Sequence, residues 1–363
     1  MEGIKQKYFV WLAAALLAVA CTKDGDTIYL PDPNEEQASS APLVTVIYGD
    51  NSLGDRSYCD MIYEGVERTA QELGLRTMQL SPQSTEEGLQ YLELMMRQME
   101  TAKDSVRRLF VVTSPVYDEY LRNNSHRLAR NPYADLLYFE TKTPLPDKGS
   151  TLYMPYYGAM FEAGAIMPAL GPRVMLIGAN RREQAVVDAI QGFTDGWNAG
   201  LTFYTGKEKK YLGITYLDET GDGGYSVADT TAMRMMHQWM ADNIHDIVPI
   251  CGGAFNTFWR INEIELGEMY IIGVDRIYHA RKSYLSVVKH IDRAMNRCIR
   301  QWLSDEGMPK HQSLGLASGY TEVVHTYKDH LASFDVEVRE QLTDEKRKEI
   351  HETALGKEEE HEK

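Results

Sequence analysis

The chain has 363 residues, 43% of them hydrophobic and 25% charged, the balance of a folded globular protein of roughly two to three domains. Disordered, collagenous and polytopic membrane classes are excluded. Its 53 acidic against 38 basic side chains give a formal charge of −15; a surface that acidic repels phosphate backbones and argues against general nucleic-acid binding. Cys21, Cys59, Cys251 and Cys298 form no C-x-x-C pair, and the ten histidines no H-x-x-x-H pair, so neither a disulfide scaffold nor a metal site is indicated. No motif calls for a cofactor.

Residues 1–20 place Lys5 and Lys7 before an apolar run from Tyr8 to Ala20. That run is too short to span a bilayer and has the length of a signal-peptide core. It ends in Ala18-Val19-Ala20 before Cys21 and resembles a bacterial lipoprotein signal, which implies acylation of Cys21. The other reading of the same residues is a secretory signal cut at A-x-A. Residues 21–41 are polar, hold two prolines and lack an apolar period, as a flexible tether does. The expectation is an envelope protein held at a membrane by lipid.

Beyond the tether, short apolar runs alternate with helical periods. Leu43–Tyr48, Arg76–Leu80, Leu109–Val112 and Leu136–Phe139 read as strands. Between them, Met61, Ile62, Val66, Ala70 and Leu73, then Leu89, Leu92, Met95, Met96 and Met99, recur at helical spacing. The alternation restarts near Gly171 with strands at Val174–Ile177, Leu212–Tyr216, Ile247-Val248 and Tyr270–Val274. Helices are expected over Ala185–Trp197, over Met233–Met240, and as one long helix from Leu285 through Val288, Ile291, Met295, Ile299 and Trp302. Strands alternating with helices predict parallel sheets with right-handed crossovers. The fold class is therefore α/β, with two doubly wound lobes at 42–155 and 156–285 and a ligand cleft at the carboxyl ends of their strands. Residues 286–335 are assigned to crossover segments and 336–363 to a charged, solvated helix or tail.

The turn from Gly49 to Tyr58 follows a strand and opens a helix, so it offers backbone N–H groups beside Asp50, Asp55, Ser57 and Tyr58. It contains neither G-x-G-x-x-G nor G-K-[ST], which removes the dinucleotide and P-loop readings. The turn with Glu64-Gly65-Val66 and Glu72-Leu73-Gly74 resembles the basic membrane protein family, lipoproteins similar to periplasmic sugar-binding proteins that include purine nucleoside receptors. Tyr157–Gly164, Gly192–Gly196, Cys251–Ala254, Ile272-Gly-Val-Asp275, Ser286–Lys289 and the Leu314-Gly-Leu closing strand resemble further motifs of that family in the same order. The resemblance covers about residues 43–325 and implies a type I periplasmic-binding fold with a hinge.

It also implies a site. Tyr58 matches an aromatic that stacks on a base, with Asp55 and Ser57 beside it; Asp50, earlier in the same turn, is a further candidate contact. Tyr225 is the candidate ring opposite, and Asp118 the acceptor for a base edge. Gly252 and Gly253 match the glycine pair ending a strand of the second lobe. Asp275 matches the aspartate that binds ribose hydroxyls and Lys289 a basic partner near the sugar. Asp118 and Tyr225 suit surface roles equally well, and Lys289 equally an exposed helix position. Cys59 replaces the family's usual Asn, and Ser226–Asp229 lacks its lysine. The expected function is capture of a small polar solute, a nucleoside foremost, for a membrane transporter, without catalysis. Alternatives are a surface interaction protein that keeps the fold, and a hydrolase using Asp50 and Asp55.

Overall fold

The computed structural model describes residues 40–50, 52–204, 209–221, 223–278, 283–326 and 341–363. The expected leader, Cys21 and nearly all of the tether lie outside the described residues. Ser40–Lys363 forms one compact unit.

The first lobe follows directly from its apolar runs. Strands β1 (Leu43–Ile47), β2 (Arg76–Leu80), β3 (Arg108–Val112), β4 (Ala134–Phe139) and β5 (Ser150–Tyr153) lie parallel, and β12 (His311–Ser313) returns from far along the chain to complete the sheet. The order is β12-β5-β4-β3-β1-β2. Helix α1 (Tyr58–Leu73) covers one face; α2 (Thr85–Thr101) and α3 (Asp118–Asn124) belong to the other. Helix α2 is capped by Ser84, whose hydroxyl accepts from the Glu87 N–H at 3.2 Å, while the Glu87 carboxylate reaches back to the Gln83 N–H at 2.6 Å.

In the second lobe the parallel strands β6 (Arg173–Asn180), β7 (Tyr211–Asp218), β8 (Asp246–Ile250) and β9 (Tyr270–Ile271) form a sheet of order β7-β6-β8-β9. A second small sheet joins β10 (Gly273–Asp275) to β11 (Leu285–Lys289) in parallel and β11 to β13 (Thr321–His325) antiparallel. Helices α4 (Tyr157–Leu170), α5 (Gln184–Leu201), α6 (Asp229–Ala241) and α7 (Ala254–Ile261) pack around them. The chain crosses between lobes three times, at Met154–Tyr156, at His290 before α8 (Ile291–Leu303), and over Leu314–Tyr320.

Two glycine sets permit close helix packing. A Cβ on Gly164 would lie 2.2 Å from the Phe193 carbonyl, and one on Gly196 2.0 Å from that of Phe161. Helices α4 and α5 thus touch backbone to backbone, and α4 is buried on all sides. Likewise a Cβ on Gly65 would meet the Asp292 Cα at 2.7 Å, which lets α8 lie against α1.

Four expectations are corrected. Leu285–Lys289 is a strand, not the start of a long helix: L-S-V-V-K is a β-branched buried run whose apolar positions happen to fall in phase with the helix that follows. The strand expected over Tyr270–Val274 is broken into β9 and β10 at Ile272. Leu314-Gly-Leu is a turn between β12 and β13 rather than a strand. The charged C-terminal segment is not simply solvated: α9 (Asp344–His361) buries Ile350, Ala354 and Glu358 against α4. Among the described residues no helix is long and apolar enough to cross a membrane.

Candidate functional site

Helix α1 begins unusually. Ser57 holds its N-cap position but makes no side-chain cap. Asp55 does that work, accepting from the N–H groups of Ser57 at 2.8 Å, Cys59 at 2.9 Å and Asp60 at 3.1 Å. The Ser57 hydroxyl is thereby released, and it donates to Asp275 Oδ2 at the end of β10 in the other lobe. The lobes also meet where the Asn256 amide donates to the Asp55 carbonyl and where Arg276 pairs with Glu64 at 3.1 Å.

Two buried carboxylates occupy matching places in the two lobes. Glu140 is the first residue after β4 and Asp275 the last of β10, and both hold left-handed backbones, φ 59° and 71°. Non-glycine residues there cost about 1–2 kcal/mol each, and such strain gathers at functional sites. Burial drives both carboxyls above their usual range. Lys289 opposes this at both; at Asp275 so do the Ser57 hydroxyl and Arg276. The Lys289 Nζ lies 2.8 Å from Glu140 Oε1 and 3.8 Å from the centre of the Tyr156 ring, with its side chain 1% exposed.

The sequence-derived residues fall into distinct settings. Ser57, Tyr58, Asp275 and Lys289 converge between the lobes. Tyr58 donates to the Thr113 carbonyl at 3.2 Å and packs edge-on to Phe139; burial, then nearby Glu140, pushes its hydroxyl pKa well up and keeps it neutral. Asp55 serves as a helix cap, so its carboxylate is already saturated by backbone donors. Gly252, at φ 51°, and Gly253 form the turn after β8, packed between Tyr225 and Asp55. The Tyr225 side of that turn is open: Tyr225 is 41% exposed. Asp118 pairs with Arg122 at 2.8 Å at the start of α3. Asp50 is exposed just beyond β1.

Other groups went unnoticed in the sequence. Glu140 is one. Glu183 is another: it lies near Tyr58 and Tyr138, to whose raised pKa values it contributes after burial, and its N–H is held at 2.8 Å by the Asn180 side chain. Asp188 collects Lys142 at 2.8 Å, Gln184 at 2.7 Å and the Tyr153 hydroxyl. Burial opposes its charge, but these partners outweigh burial and hold its pKa below the usual range. Cys59, Cys251 and Cys298 are free and buried, and burial raises all three thiols, Cys298 to about 12. Among the described residues no group of three or more His, Cys, Asp or Glu could hold a metal ion.

No family profile matches the chain, and no curated protein sequence does. Solved structures do. An ABC-transporter solute-binding protein from Aeropyrum pernix K1 superposes with a TM-score of 0.63 at 20% identity, covering 87% of this chain and 86% of that one. A transcriptional activator of the comK gene from Bacillus halodurans gives 0.59 at 14%, covering 86% and 96%. A Thermotoga lettingae 5-methylthioribose transporter solute-binding protein, in complex with 5-methylthioribose, gives 0.54 at 12%, covering 88% and 99%. The fold is that of a type I periplasmic binding protein. At these identities the likeness establishes architecture, and the ligand-contact residues rest on the geometry above.

Proposed function

We propose that this protein is an envelope solute-binding protein, anchored through Cys21, that captures a small hydroxyl-rich ligand, a nucleoside foremost, and delivers it to a transporter. The observation that carries the reading is the convergence of Ser57, Tyr58, Glu140, Asp275 and Lys289 between the lobes at the carboxyl ends of β1, β4, β10 and β11. Open α/β sheets bind ligands there. Solute-binding neighbours of the same fold, one of them holding a methylthioribose, support it. The mechanism is hinge closure on stacking and on hydroxyl–carboxylate hydrogen bonds, with no covalent step. Binding without turnover fits the engaged Asp55 carboxylate and the inert thiols.

The direct Asp55–Asn256 and Ser57–Asp275 contacts favour one second reading, a surface interaction protein that keeps its lobes shut. A thermal-shift screen separates the two. The full chain, purified in detergent and refolded free of bound solute, is scanned with nucleosides, bases, sugars and amino acids. A ligand that binds only the folded state adds about 2.7 kcal/mol at a hundredfold excess over Kd. A shift with nucleosides or sugars is expected; no shift with any probe favours the interaction protein.

A further inference from the structure

We propose that Glu140 is a ligand-contacting residue whose second carboxylate oxygen accepts a hydrogen bond from a solute hydroxyl, and that Glu140 with Asp275 restricts the site to solutes without net negative charge. The inference rests on the solute-binding reading above and names the class of solute.

The atom that points to it is Glu140 Oε2. The Glu140 side chain is 6% exposed, Lys289 engages Oε1, and Oε2 has no hydrogen-bond partner in the structure. Buried carboxylate oxygens are ordinarily satisfied, because leaving one bare forfeits its hydration for nothing. The Met154 N–H also helps to hold the charged carboxylate but leaves Oε2 without a well-formed bond, so the further donor comes from outside the protein. Its surroundings are those of the site: the Glu140 carboxylate acts on Tyr58 and Tyr153, and Asp275 in turn acts on Glu140. A carboxylate has only acceptor lone pairs, so the missing partner is a donor, and a hydroxyl or amine supplies one.

The charge balance sets the other half of the restriction. Glu140, Asp275 and Glu183 face the region, and the buried cation there, Lys289, is already held between the Glu140 carboxylate and the Tyr156 ring. Arg276 is drawn toward Glu64. Among the described residues, the cations that act on these carboxylates, Lys289 and Arg276, are thus both engaged, and at low local dielectric two nearby carboxylates repel a phosphate or carboxylate strongly.

Calorimetry on the full chain in detergent tests this, with adenosine, ribose and myo-inositol as neutral probes and adenosine 5′-monophosphate as the anion. At least one neutral probe is expected to bind. Glu140→Gln is expected to bind it at least tenfold more weakly, and wild type to bind the monophosphate at least tenfold more weakly than adenosine. Because Glu140→Gln leaves Lys289 without its carboxylate, Glu140→Asp provides a second variant that keeps a carboxylate beside the flexible Lys289 side chain but draws both oxygens back by one methylene; it too is expected to lose at least fivefold at an unchanged melting temperature. Affinity within twofold of wild type in the folded variants, or equal affinity for the monophosphate, overturns the inference while the solute-binding reading stands. If no neutral probe binds wild type, that reading falls and takes the inference with it.

Discussion

At the scale of single residues, the start of α1 shows how the chain divides capping from contact. Asp55 satisfies three backbone N–H groups that would otherwise be orphaned, so Ser57 can spend its hydroxyl on the opposite lobe. Removing the cap as Asp55→Ala is expected to cost about 1–2 kcal/mol in denaturant unfolding; unchanged stability would show the cap to be redundant. Asp275→Asn addresses the other end. Asn tolerates the left-handed backbone and nearly matches Asp in shape, so the fold should survive. Loss of a charge-assisted acceptor should weaken ligand by about 10–100-fold. Wild-type affinity in calorimetry would remove Asp275 from the site.

The contrast between Asp275 and Glu140 explains how much of the site could be read in advance. Asp275 stands in I-G-V-D, a sequence with a resemblance attached, whereas Glu140 is a lone acid after Leu136–Phe139 with no motif around it. One physical signal would have found both: in a doubly wound sheet, the polar residue at or just past a buried strand's carboxyl end faces the cleft. The same rule selects Thr113 after β3, Asn180 ending β6 and Asp218 ending β7. Asp55 shows the opposite case, as a helix cap beside the site. Whether a carboxylate in a turn caps a helix or meets a ligand depends on backbone geometry that composition does not carry.

At the scale of elements, α9 is the least expected part. Its mixed charge reads as solvated, yet Glu358 is buried and accepts from Gly158 N–H at 3.2 Å and Leu316 N–H at 2.8 Å, just past the first crossover and on the third. His361 stacks on Tyr157 at 4.0 Å and Glu362 lies 3.6 Å from Lys142. Burial, offset in part by these N–H donors, pushes the Glu358 carboxyl up to about 7 from the ordinary 4.5. The folded state then holds a proton that the unfolded chain releases. Its contribution is complete below about pH 4.5 and is lost as pH rises through about 7, a change of roughly 3 kcal/mol at most. Glu358→Gln should therefore match wild type in melting temperature at pH 4.5 and exceed it at pH 8. Parallel pH profiles would mean that folding does not shift the Glu358 pKa.

Strand β11 shows the limit of periodicity at this scale. Leu285, Val288, Ile291 and Met295 keep a helical phase across a strand, a crossover and a helix. Only the β-branched Val287-Val288 pair hints at the change, and the consequence is large: Lys289 is a buried strand residue paired with Glu140 rather than an exposed helix residue. Elsewhere the alternation of runs was sufficient, since β1, β3, β4, β6, β7 and β8 each coincide with an apolar stretch bounded by polar turns.

At the scale of the whole molecule, the lobes share too much to unfold apart. Helix α8 follows the last parallel strand of the second lobe yet buries Ile291, Met295, Ile299 and Trp302 in the core of the first. Lys142 from the first lobe meets Asp188 in the second, and Arg68 on α1 meets Asp292 on α8. Thermal unfolding is expected to be a single transition, coincident by far-ultraviolet circular dichroism and by fluorescence of Trp302 in one lobe and Trp197 and Trp239 in the other. Two resolved transitions would show that the crossovers do not couple the lobes.

The placement of α8 and β12 also governs the order of assembly. A chain made from its N-terminus presents the apolar face of α1, including Ile62 and Val66, long before residues 291–313 exist to cover it. Synthesis at about 5–20 residues per second leaves that face bare for on the order of tens of seconds. Contacts between segments so distant in sequence close slowly even in a complete chain. The nascent protein therefore passes through a window in which about a third of the core on that face of the sheet is missing, the state that holding chaperones recognise and from which aggregation begins.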